Sequence, residues 1–522
     1  MTRCAIIGAG LAGLTAAYQL RQELPSAQID VWEGAERIGG KLHTVPFDGG
    51  PVDMGAEAFL ARRDDAREFF AELGLADEIV YPSALRPLLY SQETTHPLPT
   101  AGVMGIPATG QAVAGLVSPE TVKSIDAEAQ REPIAWELGG DQSLGLLVRD
   151  RYGDEVVDRC VSALLGGVYS CAADDLGVRA TVPALANALD ELVREGGPVT
   201  LSAAVAKVLA AGEKAASPQT SSGSKPAPVF GTFRNGYATL YERLAQASDA
   251  EIYLETFVTG IAEVPSSEVA SHSGATSSDQ VGSDAQQSDS ATLQSDSATL
   301  QSASAAATRY RLLGLGVDET LYDAVLVAAP APMAARILKS LPGPTAKAAE
   351  IMSSIKLASS AVVGLRFASD VDPAGNALPE NSGILVAADQ PGVTAKAFTL
   401  SSRKWPHLAE RGAIVRASFG RFGDDAITRA PEDELVDYAL DDLAALTGFD
   451  GRAAGVEEIY TQRWFGGLPR YDYTHTETVQ RAEEVLADVD RIAVTGAWAG
   501  GVGVPAVIAH ARKAAQSLAR QL

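Results

Sequence analysis

The sequence predicts an α/β fold, α+β over the whole chain: a Rossmann-like parallel sheet, a second domain built on a β-sheet, and a helical lobe. Three observations predict it. An apolar strand, Cys4-Ala5-Ile6-Ile7, runs into the turn Gly8-Ala9-Gly10-Leu11-Ala12-Gly13 and then a helix through Leu14–Leu20. A second apolar strand, Gln28-Ile29-Asp30-Val31-Trp32, ends on an acid, Glu33. Near the other end, the strand Arg491–Trp498 leads through Ala499-Gly500-Gly501-Val502-Gly503-Val504-Pro505 into a helix that continues to Leu518.

The first two observations make a βαβ unit with the dinucleotide fingerprint. Gly8 permits the tight turn, Gly10 lets backbone approach a pyrophosphate, and Gly13 lets helix and strand pack closely. The helix N-terminus offers free N–H groups and the positive end of its dipole. Glu33 is placed to accept hydrogen bonds from ribose hydroxyls. Alone, this unit does not separate NAD from FAD. Next, Gly34-Ala35-Glu36-Arg37-Ile38-Gly39-Gly40-Lys41 sets two glycines between cations, which reads as backbone and positive charge beside a phosphate; a surface turn is the competing reading. The glycine-rich, acidic stretch Phe47–Leu60 precedes a helix over Asp64–Leu73 and is well placed to line the space beneath a cofactor ring. At the far end, Pro505 suits the first helical position, where its missing N–H costs nothing.

Composition bounds the function. A chain of 522 residues exceeds what one core usually supports, so two or three domains are expected. With 46% apolar and 21% charged residues, and a mean hydropathy of +0.04, it reads as an ordinary globular protein. No apolar run reaches the ~18 residues of a membrane span. The strand at Arg3–Cys4 leaves no place for a signal peptide, and three cysteines (Cys4, Cys160, Cys171) make no disulfide framework, so a cytoplasmic location is expected. The net charge of −24 argues against nucleic acid and against a broad anionic membrane surface. An anionic substrate therefore needs a local basic pocket. His43, His96, His272, His407, His475 and His510 lie far apart without HxxxH or CxxC spacing, and no GxSxG elbow appears, so no metal site is expected.

The run GAGLAG, then Glu33, then Arg37-Ile38-Gly39-Gly40-Lys41 resembles the flavin amine oxidase superfamily. Gly55-Ala56-Glu57-Ala58-Phe59-Leu60 resembles the GPxSFL segment of its oxygen-dependent porphyrinogen oxidases, with Ala56 in place of proline. His96-Pro97-Leu98-Pro99, Gly105-Ile106-Pro107 and Leu164-Leu165-Gly166-Gly167-Val168-Tyr169 resemble their mid-region. The resemblance runs from Arg3 to Ala519 outside two inserts, and is closest to the Gram-positive bacterial type, whose members oxidise coproporphyrinogen III or protoporphyrinogen. It implies an amine-oxidase-like fold and FAD as cofactor. Gly8–Gly13, Glu33, Gly34, Arg37, Gly39, Gly40, Lys41, the loop Gly55–Ala58 and the backbone of Val258 would contact that FAD. Gly496, Val502, Gly503 and Val504 would hold the flavin end, where a helix dipole stabilises charge that develops on reduction. Trp405, in Lys404-Trp405-Pro406-His407, matches a segment whose tryptophan touches the flavin; an ordinary core tryptophan fits equally. Arg62 and Arg63 are the candidates for pairing with substrate carboxylates, against a reading as solvated charges at a helix start.

In this scheme residues 1–75, 225–335 and 475–522 form the FAD-binding domain, 76–100 and 336–474 the substrate domain, and 101–224 the helical lobe. Ala203–Pro228, rich in Ala, Ser, Gly and Lys, reads as a loop, and Ile252–Ile261 as a strand. Pro265–Thr308, polar and containing Gln-Ser-Asp-Ser-Ala-Thr-Leu in tandem from Gln287, reads as a disordered insertion over about 265–307. The implied reaction is a six-electron oxidation of coproporphyrinogen III to coproporphyrin III in haem biosynthesis, with dioxygen reduced to hydrogen peroxide and no dedicated base. Protoporphyrinogen IX is the alternative substrate. A flavin amine oxidase or carotenoid-type desaturase, and a non-catalytic prenyl-protein escort, stand further off. A partner enzyme of haem synthesis and peripheral contact with a membrane stay open.

Overall fold

The computed structural model describes residues 1–216, 228–265 and 308–522. Strand β1 (Arg3–Ile7) is central in a five-stranded parallel sheet, ordered Glu251–Tyr253, β2 (Gln28–Trp32), β1, Ala324–Val327, Ile492–Val494. Side chains alternate across a strand, so this all-parallel sheet needs an apolar cover on both faces. Ile6, Ile29, Val31 and Leu326 pack with α1 (Leu11–Glu23) and the C-terminal helix Val504–Ala519. Ala5, Ile7, Val325 and Val327 pack on the other side with helices Ala331–Leu338, Pro344–Met352 and His475–Leu486. The expected α/β domain is the result.

Two details differ from expectation. The strand read over 252–261 is two strands in two sheets. Glu251–Tyr253 ends the parallel sheet, and Phe257–Val264 starts an antiparallel ribbon with Arg309–Leu315. Between them the chain breaks at Glu255 (φ 53°), because its N–H turns to the carbonyl of Ala35 and that of Thr256 to the carbonyl of Glu33. The ribbon closes on the pair Val264 and Arg309, and the insertion expected at 265–307 leaves from this pair; beyond Pro265 it lies outside the described residues. Packing also puts Ala331–Leu338 and Pro344–Met352 with the parallel sheet, so the boundary expected at 335/336 falls inside a helix of that domain.

The second domain is a seven-stranded sheet built around Leu357–Phe367, which pairs with Val456–Pro469 on one side and Ala413–Phe419 on the other. Helix Glu432–Thr447 covers one face. The hairpin Thr44–Phe47/Gly50–Asp53 covers the other through Val45, Phe47 and Met54 against Val362, Trp405 and Ile414. The first domain thus lends a hairpin to the core of the second, which fixes how the two meet.

The lobe is helical around Tyr152, Val156, Leu165 and Leu185. Its last helix, Leu201–Ala216, replaces the loop expected from Ala203; residues 217–227 of that loop lie outside the described residues. Composition misled here. Alanine is the best helix former, and Leu201, Ala204, Val205, Val208 and Leu209 make one apolar stripe toward the lobe core. Glu128, fully buried, caps this helix: its carboxylate accepts from the N–H groups of Leu201 (2.9 Å) and Ser202 (3.1 Å) and pairs with the buried Arg151 (2.8 Å). Among the described residues no helix is long and apolar enough to cross a membrane.

Removing one member of a buried ion pair strands the other charge. Glu128→Ala is expected to lower the unfolding free energy by about 3–5 kcal/mol. The measurement is urea unfolding followed by helical circular dichroism.

Candidate active site

The opening turn is locked to the turn that follows β2. The Gly39 N–H donates to the Ala9 carbonyl (2.8 Å), and a Cβ on Gly40 (φ 57°) would stand 2.9 Å from the Gly10 Cα. A Cβ on Gly13 would stand 1.8 Å from the Gly8 carbonyl oxygen, so α1 enters this close to the strand only without a side chain. No side chain caps α1 at Gly10, nor the C-terminal helix at Gly503. Both helices therefore keep first-turn N–H groups for a ligand. Their first residues, Leu11 and Val504, are buried in one core cluster, which brings the two ends of the chain together.

Glu33 accepts from the Ala9 N–H (2.7 Å) and the Ala35 N–H (2.9 Å). Gly34 lies against the Phe257 ring, and Val258 follows on the strand that begins beside Glu33. Arg37 is not free for a phosphate: its guanidinium donates to the carbonyls of Ile38, Gly40 and Leu42 at 2.9–3.1 Å and shapes the turn. Arg37 and Lys41 each sit 5.9 Å from the Trp464 ring, whose N–H donates to the Met54 carbonyl. Trp464 was not foreseen, because it lies more than four hundred positions away on the second domain's edge strand.

Gly55 packs on the Lys41 carbonyl, where a Cβ would stand 2.0 Å from the oxygen, and the Ala56 N–H donates to that oxygen (3.3 Å). Glu57 turns away into the domain interface. Its carboxylate binds Lys404 Nζ (2.7 Å), the Trp405 N–H (3.0 Å) and Ser401 Oγ (3.2 Å), with Arg416 at 3.9 Å. Burial pushes its pKa up, but Lys404 and Arg416 outweigh burial and bring it to about 2. Two residues expected at the flavin, Glu57 and Trp405, are thus bonded to each other, and Trp405 is 1% exposed. Ala58 packs on the same cluster. Asp53 differs: burial raises it to about 6 despite bonds from Thr44 and the Tyr237 N–H.

In the C-terminal turn, Tyr471 donates to the Ala497 carbonyl and His475 bonds the Trp498 carbonyl (2.8 Å). Gly496 (φ 150°) bends the chain, and Val502, further along the turn, packs against the core cluster of the lobe. Arg62 and Arg63 do not form the basic pocket expected of them. Both are exposed, Arg63 is closed onto Asp65 through two hydrogen bonds, and among the described residues Arg62 makes none. Among the described residues no group of three or more His, Cys, Asp or Glu is arranged for a metal ion. The three cysteines are buried, and burial lifts each thiol to about 12.

A nucleotide cradle on a parallel sheet, roofed by an antiparallel sheet and closed by a second uncapped helix, defines a two-domain flavoprotein oxidoreductase. The chain belongs to the flavin containing amine oxidoreductase family, which matches residues 11–289 and 302–519, and a flavin is its cofactor. It is 36% identical over 521 residues to the coproporphyrinogen III oxidase of Mycobacterium tuberculosis, covering 99% of this chain and 97% of that one. The Bacillus subtilis protein of the same name is 28% identical, covering 98% and 96%. A solved structure titled putative protoporphyrinogen oxidase, from Exiguobacterium, superposes with a TM-score of 0.76 at 24% identity, covering 100% and 99%.

Gly13→Ala is expected to abolish flavin retention, read as flavin absorbance per protein after purification. Glu57 has its folded pKa below its ordinary 4.5, so its contribution is full above pH 4.5 and is lost as pH falls toward 2. Glu57→Gln should therefore cost about 3 kcal/mol at neutral pH, and the gap to the wild type should close across that acid window in urea titrations.

Proposed function

We propose that the chain is an FAD-dependent oxidase that converts coproporphyrinogen III to coproporphyrin III, with dioxygen as electron acceptor and hydrogen peroxide as product, in the cytosol. The observation that carries the reading is similarity to coproporphyrinogen III oxidases over essentially the whole length, cradle and roof included. A dinucleotide rather than a mononucleotide flavin is supported by the turn Gly8–Gly13 and by Glu33, which suit a pyrophosphate and an adenosine ribose.

Bound in this cleft, a flavin supplies the two-electron acceptor for each oxidation step. The protein's residues do the rest. In this reading the first-turn N–H groups of α1 hold the phosphates, Glu33 the ribose, Gly34 and the Val258 backbone the adenine, and Gly501–Val504 the ring. Gly39, Gly40, Arg37 and Lys41 shape the wall, and Gly55–Ala56 lie below it. Positioning and exclusion of water account for catalysis without a dedicated base.

The test is aerobic incubation of the purified flavoprotein with coproporphyrinogen III, protoporphyrinogen IX and a panel of amines. Porphyrin fluorescence and hydrogen peroxide should rise together, fastest with coproporphyrinogen III. Peroxide formed only with an amine, or no porphyrin from either porphyrinogen, overturns the reading. Faster turnover of protoporphyrinogen IX reassigns the substrate.

A further inference from the structure

The chain is strongly acidic, yet a buried lysine and a half-buried arginine stand side by side where the helical lobe meets the second sheet, and among the described residues neither is in an ion pair. Lys396 is 5% exposed; its Nζ donates to Ser170 Oγ (2.6 Å) and to the Gly420 carbonyl (2.8 Å), both neutral. Arg421 follows Gly420 directly. Among the described residues its guanidinium has no hydrogen bond or ion pair, and its Nε is buried without an acceptor. The nearby carboxylates Asp472 and Asp175 pair with Arg470 at 2.7 and 3.6 Å, and the exposed Asp424 attracts Arg421 without a hydrogen bond or ion pair to it among the described residues.

Burying like charges side by side is costly unless an anion joins them. Burial and then Arg421 lower the Lys396 pKa to about 7, which marks the same shortage of negative charge. The carboxyl end of helix Ser162–Tyr169, capped by Ser170, faces the pair but supplies only about half a negative charge. Among the described residues no carboxylate is bonded to either cation.

The surroundings say which kind of anion fits. A Cβ on Gly166 would stand 3.7 Å from Arg421 Nε, and one on Gly167 would stand 3.6 Å from Leu385, so two residues without side chains leave the lobe wall low. Leu385 and Tyr169 flank these glycines, Phe422 follows Arg421, and the Tyr169 ring lies 5.8 Å from that of Tyr471, whose hydroxyl donates to the Ala497 carbonyl in the C-terminal turn. Arg421 therefore lies beside an apolar wall that reaches, through Tyr169 and Tyr471, toward the C-terminal turn. That arrangement suits a large apolar ring carrying carboxylates at its rim.

Resting on the function proposed above, we infer that Arg421 binds a carboxylate of the substrate, a propionate of the porphyrinogen, and that Lys396 is its positioning residue. Lys396 fixes the Gly420 carbonyl, and with it the backbone that presents Arg421, while its charge adds to the attraction for the anion. The guanidinium fork matches a carboxylate with two parallel hydrogen bonds.

The test is binding of coproporphyrin III and of its tetramethyl ester to the flavin-loaded protein, by fluorescence titration. Wild type should prefer the acid. Arg421→Gln should weaken the acid roughly ten- to a hundredfold and leave the ester unchanged, with Arg421→Lys in between and Lys396→Met losing part of the preference. Flavin content and Tm report folding of each variant. Equal loss of both probes in Arg421→Gln, or no loss of either, overturns the subsite while the oxidase reading stands. A wild type that oxidises porphyrinogens but binds acid and ester alike also overturns the subsite alone. A wild type that oxidises no porphyrinogen overturns the reading beneath it.

Discussion

Glu33 is held by every hydrogen-bonding group it has. Its N–H donates to the Tyr253 carbonyl, its own carbonyl accepts from Thr256, and its carboxylate takes the N–H groups of Ala9 and Ala35. One residue at the end of β2 thus fixes the glycine turn after β1, the turn toward Arg37, and the point where the chain passes from the parallel sheet into the antiparallel ribbon. The backbone turns around it touch without room for a Cβ at Gly13 or Gly40. A small shift there would move α1 against its sheet. The rest of the cleft is built outward from this lock, through Gly39 to Ala9 and through Lys41 to Gly55 and Ala56.

What was legible in the sequence follows from how local each constraint is. The βαβ unit is readable because its glycines, helix and acid lie within about thirty residues, and each has a stereochemical reason tied to its neighbours. The tail turn is readable for the same reason. Glu57 and Trp405 are each legible as candidates, but the bond between them is not, since nothing local in either segment points across 348 positions. Lys396 and Arg421 carry no local pattern at all; an isolated lysine and arginine become a pair only when the sheet and the lobe are assembled. The helix Leu201–Ala216 was lost to composition, because small residues suggest a loop until their apolar members are counted at helical spacing.

The domain interface follows from the same chemistry. The hairpin Thr44–Asp53 belongs by sequence to the first domain but buries its apolar residues in the second. Glu57, a few residues later, binds Lys404, Trp405 and Ser401 of the second domain. Apolar packing alone would let the two surfaces slide. A buried carboxylate with fixed donors does not, because any displacement leaves a charge unpaired. Roof and cradle therefore keep a set spacing, which a planar cofactor and a planar substrate both require.

An acidic protein that is to hold two anionic molecules must attract them locally, and the two ends of this cleft differ in how they are equipped. At the nucleotide end, Arg37 is spent on three backbone carbonyls and Lys41 sits over the Trp464 ring, and the uncapped helix offers backbone N–H groups to phosphate. Such groups carry no net charge and need no counter-ion when the cleft is empty, which suits a cofactor that stays. At the other end stand Arg421, whose guanidinium is bonded to nothing among the described residues, and Lys396, whose pKa burial and Arg421 bring to about 7 beside neutral acceptors. A guanidinium without a bonded partner is costly when empty and attracts strongly when a carboxylate arrives, which suits a ligand that must be gathered from solution and then released. The ordering of weak, permanent donors at one end and strong, unsatisfied ones at the other is what a resident cofactor beside a transient acidic substrate demands.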